Sequence, residues 1–303
     1  MKKPKIYIDG QAGTTGLEIY QRLSQREDIE IILIDPEKRK DNAERKKCMD
    51  EADLVFLCLP DAASVQAMDL LDDKTKVIDA STAHRCNDAW AYGMCELSET
   101  HKKKIQTSTR VANPGCHATG FIMAVYPLVQ QGLIDKDSVL VAHSLTGYSG
   151  GGNKMIAQYE NEKIEEYYAP RIYGLTQHHK HLPEMKKMTG LNVEPIFNPI
   201  VDDYYRGMAV TIPVVNHSQD EVYEVLKAWY DNQPLITVSK QSEGMISANT
   251  KAKKDSLELI VTGNDTRACV TTLFDNLGKG ACGAAIQNMN IMLGFDQTKG
   301  LNL

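Results

Sequence analysis

The chain has 303 residues, of which 42% are hydrophobic, and its formal net charge is −6 at pH 7. That length accommodates two domains with a sizeable core, and the negative charge argues against a nucleic-acid partner. No apolar run approaches the roughly 20 residues of a membrane span, and the first residues lead directly into a strand, so we expect no membrane segment, no signal peptide and a cytoplasmic location. The seven cysteines are odd in number and lack CxxC spacing, which predicts neither a disulfide framework nor a metal site.

The N-terminal third alternates short apolar strands with helical segments. The predicted strands cover residues 5–9, 30–35, 54–59 and 76–79, and the predicted helices cover 17–24 and 62–71. This alternation is typical of an α/β fold with a doubly wound parallel sheet. We therefore expect residues 1–116 to form a Rossmann-type nucleotide-binding domain, completed by a C-terminal helix within residues 283–303.

Three glycines separate the first predicted strand from the helix that follows it. They are Gly10, Gly13 and Gly16, and Thr14 and Thr15 lie between the last two. Glycine in such a turn lets a pyrophosphate approach the N–H groups of the helix N-terminus. The spacing is GxxGxxG instead of GxGxxG, so the strand–turn–helix context carries the prediction of nucleotide binding. The alternative is a purely structural turn.

Polar residues follow the second and fourth predicted strands. Asp35 ends the second strand, where a carboxylate normally binds the ribose 2′-hydroxyl of NAD. Lys38 and Arg39 come next and could instead hold the 2′-phosphate of NADP. After the fourth strand, Ser81 is a candidate cofactor contact at the edge where ligands bind. Arg85 could meet a substrate anion or form an ordinary salt bridge, and the sequence favours neither.

Cys116 follows a Pro-Gly turn at the predicted start of a helix, within residues 113–120. Apolar residues recur beyond it at helical spacing, and Gly132 is the predicted stop. A helix N-terminus offers unpaired N–H groups and a partial positive charge, and both favour the nucleophilic thiolate. A nucleophilic cysteine downstream of a nucleotide-binding domain predicts redox chemistry through a thioester.

The region after this helix is rich in β-structure and has few connecting helices. Strands are predicted at 138–145, 208–215, 257–261 and 269–274, and helices at 154–167 and 219–230. The pattern predicts an α+β domain over residues 117–282 with a mixed or antiparallel sheet. We expect this domain to carry the substrate site and the contacts between subunits.

A histidine-rich segment lies within this second domain. His179 and His181 are followed by Glu184. One histidine suits an acid/base role beside a cysteine nucleophile, and the residues do not choose between the two. Glu184 could orient a histidine, bind the substrate or simply begin a helix.

Loops and arginines supply the other substrate-binding candidates. Ser149 and Gly150 lie in a glycine-rich loop whose N–H groups could hold a phosphate or carboxylate. Arg110 and Arg206 could pair with a substrate carboxylate, or each could form a structural ion pair.

A second glycine-rich loop opens the last predicted helix, residues 283–293. It contains Asn276, Gly278 and Gly280. Small residues at a helix start allow close packing, so this loop could lie against a cofactor. The alternative is a loop that simply begins a helix.

Six segments, in this order, resemble those of N-acetyl-γ-glutamyl-phosphate reductases of the shorter form. They are residues 9–17, 79–85, 113–116, 179–184, 205–208 and 276–281. The likeness covers nearly the whole chain, and the joint order is far more specific than any one segment. The HxHxPE and NLGKGA segments separate it from the related aspartate-semialdehyde dehydrogenases, which share the fold and the cysteine chemistry.

The resemblance implies NADPH-dependent reduction of N-acetyl-γ-glutamyl phosphate to N-acetylglutamate semialdehyde and phosphate, in arginine biosynthesis. It favours NADP over NAD and places the nucleophile at Cys116 and the acid/base group at His179 or His181. It also implies a homodimer or homotetramer. Two positions depart from the family pattern: His117, where an aromatic residue is common, and Cys282, where a serine is common.

Three alternative functions are consistent with parts of this pattern. One is a dehydrogenase of the aspartate-semialdehyde type with a different acyl phosphate. Another is a dinucleotide-binding regulator that senses redox state without catalysis, and the weakest is a phosphate-sensing module. The regulator needs the nucleotide loop but no poised cysteine beside histidines, so selective alkylation of Cys116 would argue against it.

Overall fold

A computed structural model of the protein describes residues 2–303, which form two compact units. The first unit extends to Pro114 and includes Ala281–Leu301, and the second comprises Gly115–Gly280 with Asn302–Leu303. The predicted boundaries are residues 116 and 283. Each lies two positions after the corresponding observed boundary, Pro114 or Ala281. The predicted fold class is confirmed, because the first unit holds a parallel sheet and the second a mixed sheet.

The first unit contains six parallel strands in the order β2-β1-β3-β4-β6-β5. The strands are β1 (Lys5–Asp9), β2 (Glu30–Ile32), β3 (Leu54–Leu57), β4 (Lys76–Asp79), β5 (Ala91–Tyr92) and β6 (Arg110–Ala112). The connecting helices are α1 (Thr14–Leu23), α2 (Asn42–Glu51), α3 (Asp61–Ala67) and α4 (Glu99–Thr107).

Successive side chains of these strands pack into two different hydrophobic clusters. Ile6 and Ile8 join one cluster, whereas Tyr7 between them joins the other. Phe56 and Val55 divide in the same way. Because strand side chains alternate between the two faces, a sheet covered on both faces needs near-continuous apolar strands. This requirement explains the unbroken hydrophobic run of β3.

The end of β2 and the helix α2 are among the segments of the first unit that differ from the sequence prediction. The predicted strand 30–35 ends at Ile32, and residues 36–40 form turns. The helix α2 was not predicted, because its residues are mostly charged and show no apolar stripe. Asp41 caps it: the carboxylate accepts hydrogen bonds from the N–H groups of Ala43 (2.8 Å) and Glu44 (3.1 Å).

The second unit contains a seven-stranded mixed sheet in the order β11-β12-β13-β10-β7-β9-β8. The strands are β7 (Val141–Gly147), β8 (Arg171–Ile172), β9 (Ile196–Asp202), β10 (Met208–Val215), β11 (Ile236–Lys240), β12 (Leu257–Gly263) and β13 (Arg267–Phe274). The helices are α5 (Cys116–Gln130), α6 (Gly152–Glu160), α7 (Leu182–Thr189) and α8 (Gln219–Tyr230). The chain then returns to the first unit with α9 (Gly283–Leu293).

Strongly periodic elements of the second unit match the prediction, and weakly periodic ones do not. The bounds of α8 and β10 agree with the predicted ranges, as do those of α9 in the first unit. The predicted helix 154–167 is wrong: α6 ends at Glu160, and a separate 3-10 turn covers Glu165–Tyr168. The strand β9 and the helix α7 were not predicted. No helix within residues 2–303 is long and apolar enough to cross a membrane.

The helix α5 is almost wholly buried and contains Pro127. Proline has no N–H group, so it cannot donate to the carbonyl of Met123, four residues earlier. The hydroxyl of Tyr230 on α8 donates to that carbonyl instead, at 2.7 Å. A buried carbonyl is thus satisfied, and α5 continues through the proline to Gln130.

Candidate functional site

A cleft of about 830 Å³ lies in the first unit, at the carboxyl ends of the parallel strands. It is lined by the Gly10–Gly13 turn, the residues that follow β3, the basic segment before α2 and the first turns of α2. The lining residues include Gly10, Gly13, Leu59, Pro60, Arg39, Lys40 and Arg45. Ligands of open α/β sheets bind at this edge. The predicted strand 54–59 ends at Leu57, which leaves Cys58 and Leu59 to line the cleft.

Two glycines of the 10–16 turn, Gly10 and Gly16, are required by close backbone contacts. Gly10 has φ +87°, and a Cβ there would lie 2.3 Å from the carbonyl oxygen of Cys58. A Cβ at Gly16 would lie 2.4 Å from the carbonyl oxygen of Gly10. Gly13 precedes the first residue of α1, Thr14, and neither Thr14 nor Thr15 lines the cleft. The turn therefore presents bare backbone beside a helix N-terminus, which suits a pyrophosphate.

Cations surround the part of the cleft beyond the glycine turn. Arg39 and Lys40 line it, whereas Lys38 is absent from the lining and lies 3.5 Å from Glu44. The carboxylate of Asp35 is exposed and accepts a hydrogen bond from the N–H of Glu37 at 3.0 Å, so it caps the turn that follows β2. These residues fit a 2′-phosphate better than a bare ribose hydroxyl.

An additional arginine in the cleft was not predicted. Arg45 on α2 makes a 2.6 Å ion pair with Asp9, which ends β1 and is buried. A buried carboxylate needs such a partner, so Asp9 fixes the position of this guanidinium beside the cleft. The only sequence signal is the charge of residues 45–47, which does not distinguish a cleft from a solvated helix face.

Ser81 and Arg85 both support the loop that follows β4. Asp79 is fully buried and accepts hydrogen bonds from Ser64, from Ser81 and from His84. Burial alone would raise the pKa of Asp79, but the hydrogen bonds from His84, Ser64 and Ser81 outweigh it and lower that pKa. Arg85 donates to the carbonyls of Asn113 (2.9 Å) and Ala80 (3.0 Å) and is itself buried.

Cys116 is the first residue of α5, as predicted, and Gly115 is its N-cap. The N–H of Gly115 donates to the buried carboxylate of Glu184 at 2.9 Å. A Cβ at Gly280 would lie 3.0 Å from the Cβ of Cys116, so glycine lets this loop approach the cysteine closely. The thiol thus lies at a helix N-terminus whose preceding turn is held by one carboxylate.

His179 and His181 pack against each other next to this turn. His181 is the N-cap of α7, the helix that carries Glu184, and α7 packs on α5. The two rings are 4.9 Å apart, and the N–H of His181 donates to Nδ1 of His179 at 3.3 Å. Burial, and to a lesser extent Lys180, lowers the pKa of His179 to about 4.

A third histidine, His117, completes the cluster and was not predicted as a site residue. Its ring lies 5.7 Å from that of His179 and 5.6 Å from that of His181. Nδ1 is 2.6 Å from Oγ of Ser144, and Nε2 is 2.7 Å from the hydroxyl of Tyr173. The one sequence signal for His117 is its departure from the family pattern, where an aromatic residue is common.

The loop that contains Ser149 and Gly150 is fastened by Asn276. The side-chain nitrogen of Asn276 donates to Oγ of Ser149 at 2.9 Å, and the side-chain oxygen of Asn276 accepts the N–H of Gly207 at 2.9 Å. A Cβ at Gly150 would lie 3.2 Å from Oγ1 of Thr146, so this loop lies close to β7. The polar groups of Asn276 are therefore engaged within the second unit.

Asp275 organises the rest of this region. Its buried carboxylate pairs with Nε of Arg206 at 2.6 Å and accepts the N–H groups of Leu277 and Gly278. A Cβ at Gly278 would lie 2.3 Å from the carbonyl oxygen of Lys254, so backbone packing requires this glycine. Arg206 matches the structural ion pair that we gave as the alternative to substrate binding.

Arg110 does not join the other candidates. It begins β6, at the edge of the parallel sheet opposite to the Gly10 turn. Its guanidinium donates to the carbonyls of Thr75 (2.5 Å) and Asp72 (2.6 Å). It supports a loop at the amino ends of the strands and has no place in the ligand cleft. Residues 2–303 contain no group of three or more His, Cys, Asp or Glu side chains arranged to hold a metal ion.

Comparison with known proteins agrees with this division. The family described as "Semialdehyde dehydrogenase, NAD binding domain" matches residues 5–105, and "Semialdehyde dehydrogenase, dimerisation domain" matches residues 116–276. The chain is 38% identical to N-acetyl-gamma-glutamyl-phosphate reductase 2 of Nostoc sp., over 99% of this chain and 100% of the relative. It is 42% identical to N-acetyl-gamma-glutamyl-phosphate reductase of Brucella anthropi, over 96% and 99%.

The chain belongs to the N-acetyl-γ-glutamyl-phosphate reductase family. Solved structures with the same fold include aspartate semialdehyde dehydrogenase II from Vibrio cholerae, with a TM-score of 0.74 at 14% identity over 97% of this chain and 99% of that one. Another is aspartate semialdehyde dehydrogenase from Candida albicans, solved with NADP, with a TM-score of 0.71 at 15% identity over 96% and 99%. At such identities the likeness shows the fold alone.

Proposed function

We propose that this chain catalyses the NADPH-dependent reduction of N-acetyl-γ-glutamyl phosphate to N-acetylglutamate 5-semialdehyde and inorganic phosphate, a step of arginine biosynthesis. The observation that carries the proposal is the position of Cys116 at the N-terminus of α5, with its turn held by Glu184 and the histidine cluster beside it. The names of full-length relatives at 38% and 42% identity supply the substrate.

The reaction begins at Cys116. The thiolate attacks the acyl carbon of the substrate, a carbon–sulfur bond forms, and the bond to the phosphate oxygen breaks. The phosphate takes up one proton from water as it leaves, and the thioester remains on the enzyme. The N–H groups of the first turn of α5 have no intrahelical partner and stabilise the negative oxygen, by about 3 kcal/mol per donor in related sites.

When bound, the nicotinamide supplies the hydride that adds to the thioester carbon. We assign the acid/base role in the following step to His181. It protonates the oxygen of the tetrahedral species and takes the proton back as the carbon–sulfur bond breaks, which releases the aldehyde and the thiolate. His179 suits this role less well. With a pKa of about 4 its ring is neutral near pH 7, so it has no proton to give as a general acid.

The glycine turn and the cations of the first unit would hold the cofactor. The bare backbone of Gly10 and Gly13 receives the pyrophosphate, and Arg39 and Lys40 are available to the 2′-phosphate of NADP, with the charge of Arg45 held nearby by Asp9. We further propose that the enzyme works in the cytoplasm as a homodimer or homotetramer. The match to a dimerisation domain over residues 116–276 supports the oligomer.

The test is phosphate-dependent reduction of NADP by N-acetylglutamate semialdehyde, followed by absorbance and repeated with aspartate semialdehyde. Turnover with the acetylated aldehyde alone supports the proposal. Turnover with aspartate semialdehyde alone would transfer the chain to the sister activity. If NADP bound tightly but neither aldehyde reacted, the protein would instead be a non-catalytic dinucleotide sensor.

A further inference from the structure

His117 is enclosed by the second unit and uses both of its ring nitrogens. It is 3% exposed, with Ser144 on one side and Tyr173 on the other. Its ring also lies edge-on to Phe197, with ring centroids 5.2 Å apart. A neutral imidazole donates from one nitrogen and accepts at the other. The directions of the two hydrogen bonds are therefore coupled.

Ser144 fixes those directions. It is fully buried, and within residues 2–303 its hydroxyl has Nδ1 of His117 as its one hydrogen-bond partner. If His117 donated to Ser144, the hydroxyl proton of the serine would be buried without an acceptor, which costs about 1–3 kcal/mol. The serine therefore donates to Nδ1, and the histidine proton lies on Nε2. Nε2 then donates to the hydroxyl oxygen of Tyr173.

This arrangement leaves the hydroxyl proton of Tyr173 to be donated elsewhere. Tyr173 is half-buried, and its hydroxyl bonds the side chain of the residue that directly follows Cys116. Burial, and then a thiolate charge on Cys116, raises the pKa of the phenol. The phenol therefore keeps its proton near neutral pH. Burial, followed by His179 and Lys180, lowers the pKa of His117 to about 3, so this ring stays neutral.

We propose that His117 is a positioning residue that acts with Ser144 to direct the hydroxyl proton of Tyr173 at the acyl oxygen of a group bound to Cys116. Tyr173 is then a further donor for the negative oxygen, in addition to the helix N–H groups. The inference rests on the proposed function for its substrate. The two hydrogen bonds that link Ser144, His117 and Tyr173 are present in the protein without substrate, however. Their donor and acceptor directions can therefore be tested without turnover.

The first experiment identifies which nitrogen of His117 carries the proton. NMR spectra of histidine-labelled protein without ligands are recorded, and the signal is assigned by its loss in His117→Phe. We expect a proton on Nε2 and none on Nδ1. A proton on Nδ1 would overturn the inference while leaving the proposed function intact.

The second experiment is a double-mutant cycle on the reverse reaction. We expect His117→Phe to lower kcat about tenfold and Ser144→Ala to lower it several-fold, the scale of one lost hydrogen bond. In a Tyr173→Phe background both changes should have no further effect, because the donor that they orient is gone. If His117→Phe or Ser144→Ala lowered kcat further in the Tyr173→Phe background, the inference would be overturned. An inactive wild-type protein would instead count against the proposed function.

Conservative variants separate positioning from packing. The longer carboxamide of His117→Gln places a donor near Nε2 and should restore most of the lost kcat, whereas His117→Asn reaches only the Ser144 side and should not. Ser239→Ala is the control for Ser144→Ala: it removes a strand hydroxyl that bonds Glu258 at 3.0 Å in the same sheet, and kcat should stay unchanged. Equal losses for the Gln and Asn variants would contradict an oriented donor.

Discussion

The two units use different means to build a binding site. The cleft of the first unit is formed largely by segments that directly follow strands, so Gly10, Leu59 and the Arg39 segment meet because their strands are parallel neighbours. The thiol site of the second unit joins residues far apart in the chain: Gly115 bonds Glu184, and His117 bonds Tyr173. A sheet edge can thus supply a cofactor site by topology, whereas the thiol site depends on individual buried hydrogen bonds. The second unit should therefore be the more sensitive to single substitutions.

The largest effect is expected at the nucleophile. Cys116→Ser should lower kcat on the order of 10⁴-fold or more, because a serine hydroxyl is a far weaker acid than a thiol and stays protonated where the thiolate would attack. The small change in volume should leave the melting temperature unaffected. Turnover and thermal unfolding are measured on the same preparation, and substantial residual activity would exclude the thioester mechanism.

The next largest effect concerns the turn before Cys116. Glu184→Ala removes the acceptor of the Gly115 N–H, and a hydrogen bond to a charged group contributes about 1.5–3 kcal/mol. We expect kcat to fall about 10- to 100-fold, with a smaller fall in Glu184→Gln, which keeps an acceptor oxygen. The control is Glu194→Ala, an exposed position in the same unit. If Glu184→Ala retained full activity, the thiol site would be as tolerant as the cleft.

A smaller and more selective effect is expected in the cleft. Arg39→Ala should raise the KM for NADP about tenfold while the KM for NAD stays constant, since only NADP carries the 2′-phosphate that the guanidinium pairs with. Lys46→Ala is the control, because Lys46 is exposed on α2 and pairs with Asp50 at 2.8 Å. An equal rise in KM for both cofactors would place Arg39 elsewhere than at the 2′-phosphate.

The last effect is on stability instead of catalysis and depends on pH. A histidine of the unfolded chain takes up a proton near pH 6.5, whereas His117 in the fold does so only near pH 3. Between these values the unfolded state binds one more proton, so acid destabilises the fold by about 1.4 kcal/mol per pH unit through this residue. His117→Phe should reduce the slope of unfolding free energy against pH by that amount between pH 6 and 4. Identical slopes in denaturant titrations of both proteins would show that His117 is not held neutral.

The sequence predicted those parts of the molecule whose signals are local. The period-3.6 pattern of α8, the alternation of β10 and the helix start at Cys116 follow from neighbouring residues alone. The helix α2 was missed because tertiary packing, with Cys48 and Met49 as its buried residues, stabilises a mostly charged segment.

The candidate site divides along the same line. The glycine turn, Cys116 and the histidine segment are visible as local motifs. The hydrogen bonds from His117 are not, because Ser144 and Tyr173 lie 27 and 56 residues away in the chain. For the same reason the sequence did not distinguish arginines that stabilise loops, such as Arg110 and Arg85, from arginines that line a cleft.

The proline in the middle of α5 limits the order in which this chain can change over generations. Tyr230 and Met123 are 107 residues apart, yet the tyrosine hydroxyl supplies the hydrogen bond that Pro127 cannot. A lineage that first replaces Pro127 by an ordinary residue regains an N–H for that carbonyl, and position 230 then becomes free to lose its hydroxyl. A lineage that loses the hydroxyl first leaves a buried carbonyl without a donor in the helix that carries the nucleophile. Substitution at position 127 should therefore precede substitution at position 230.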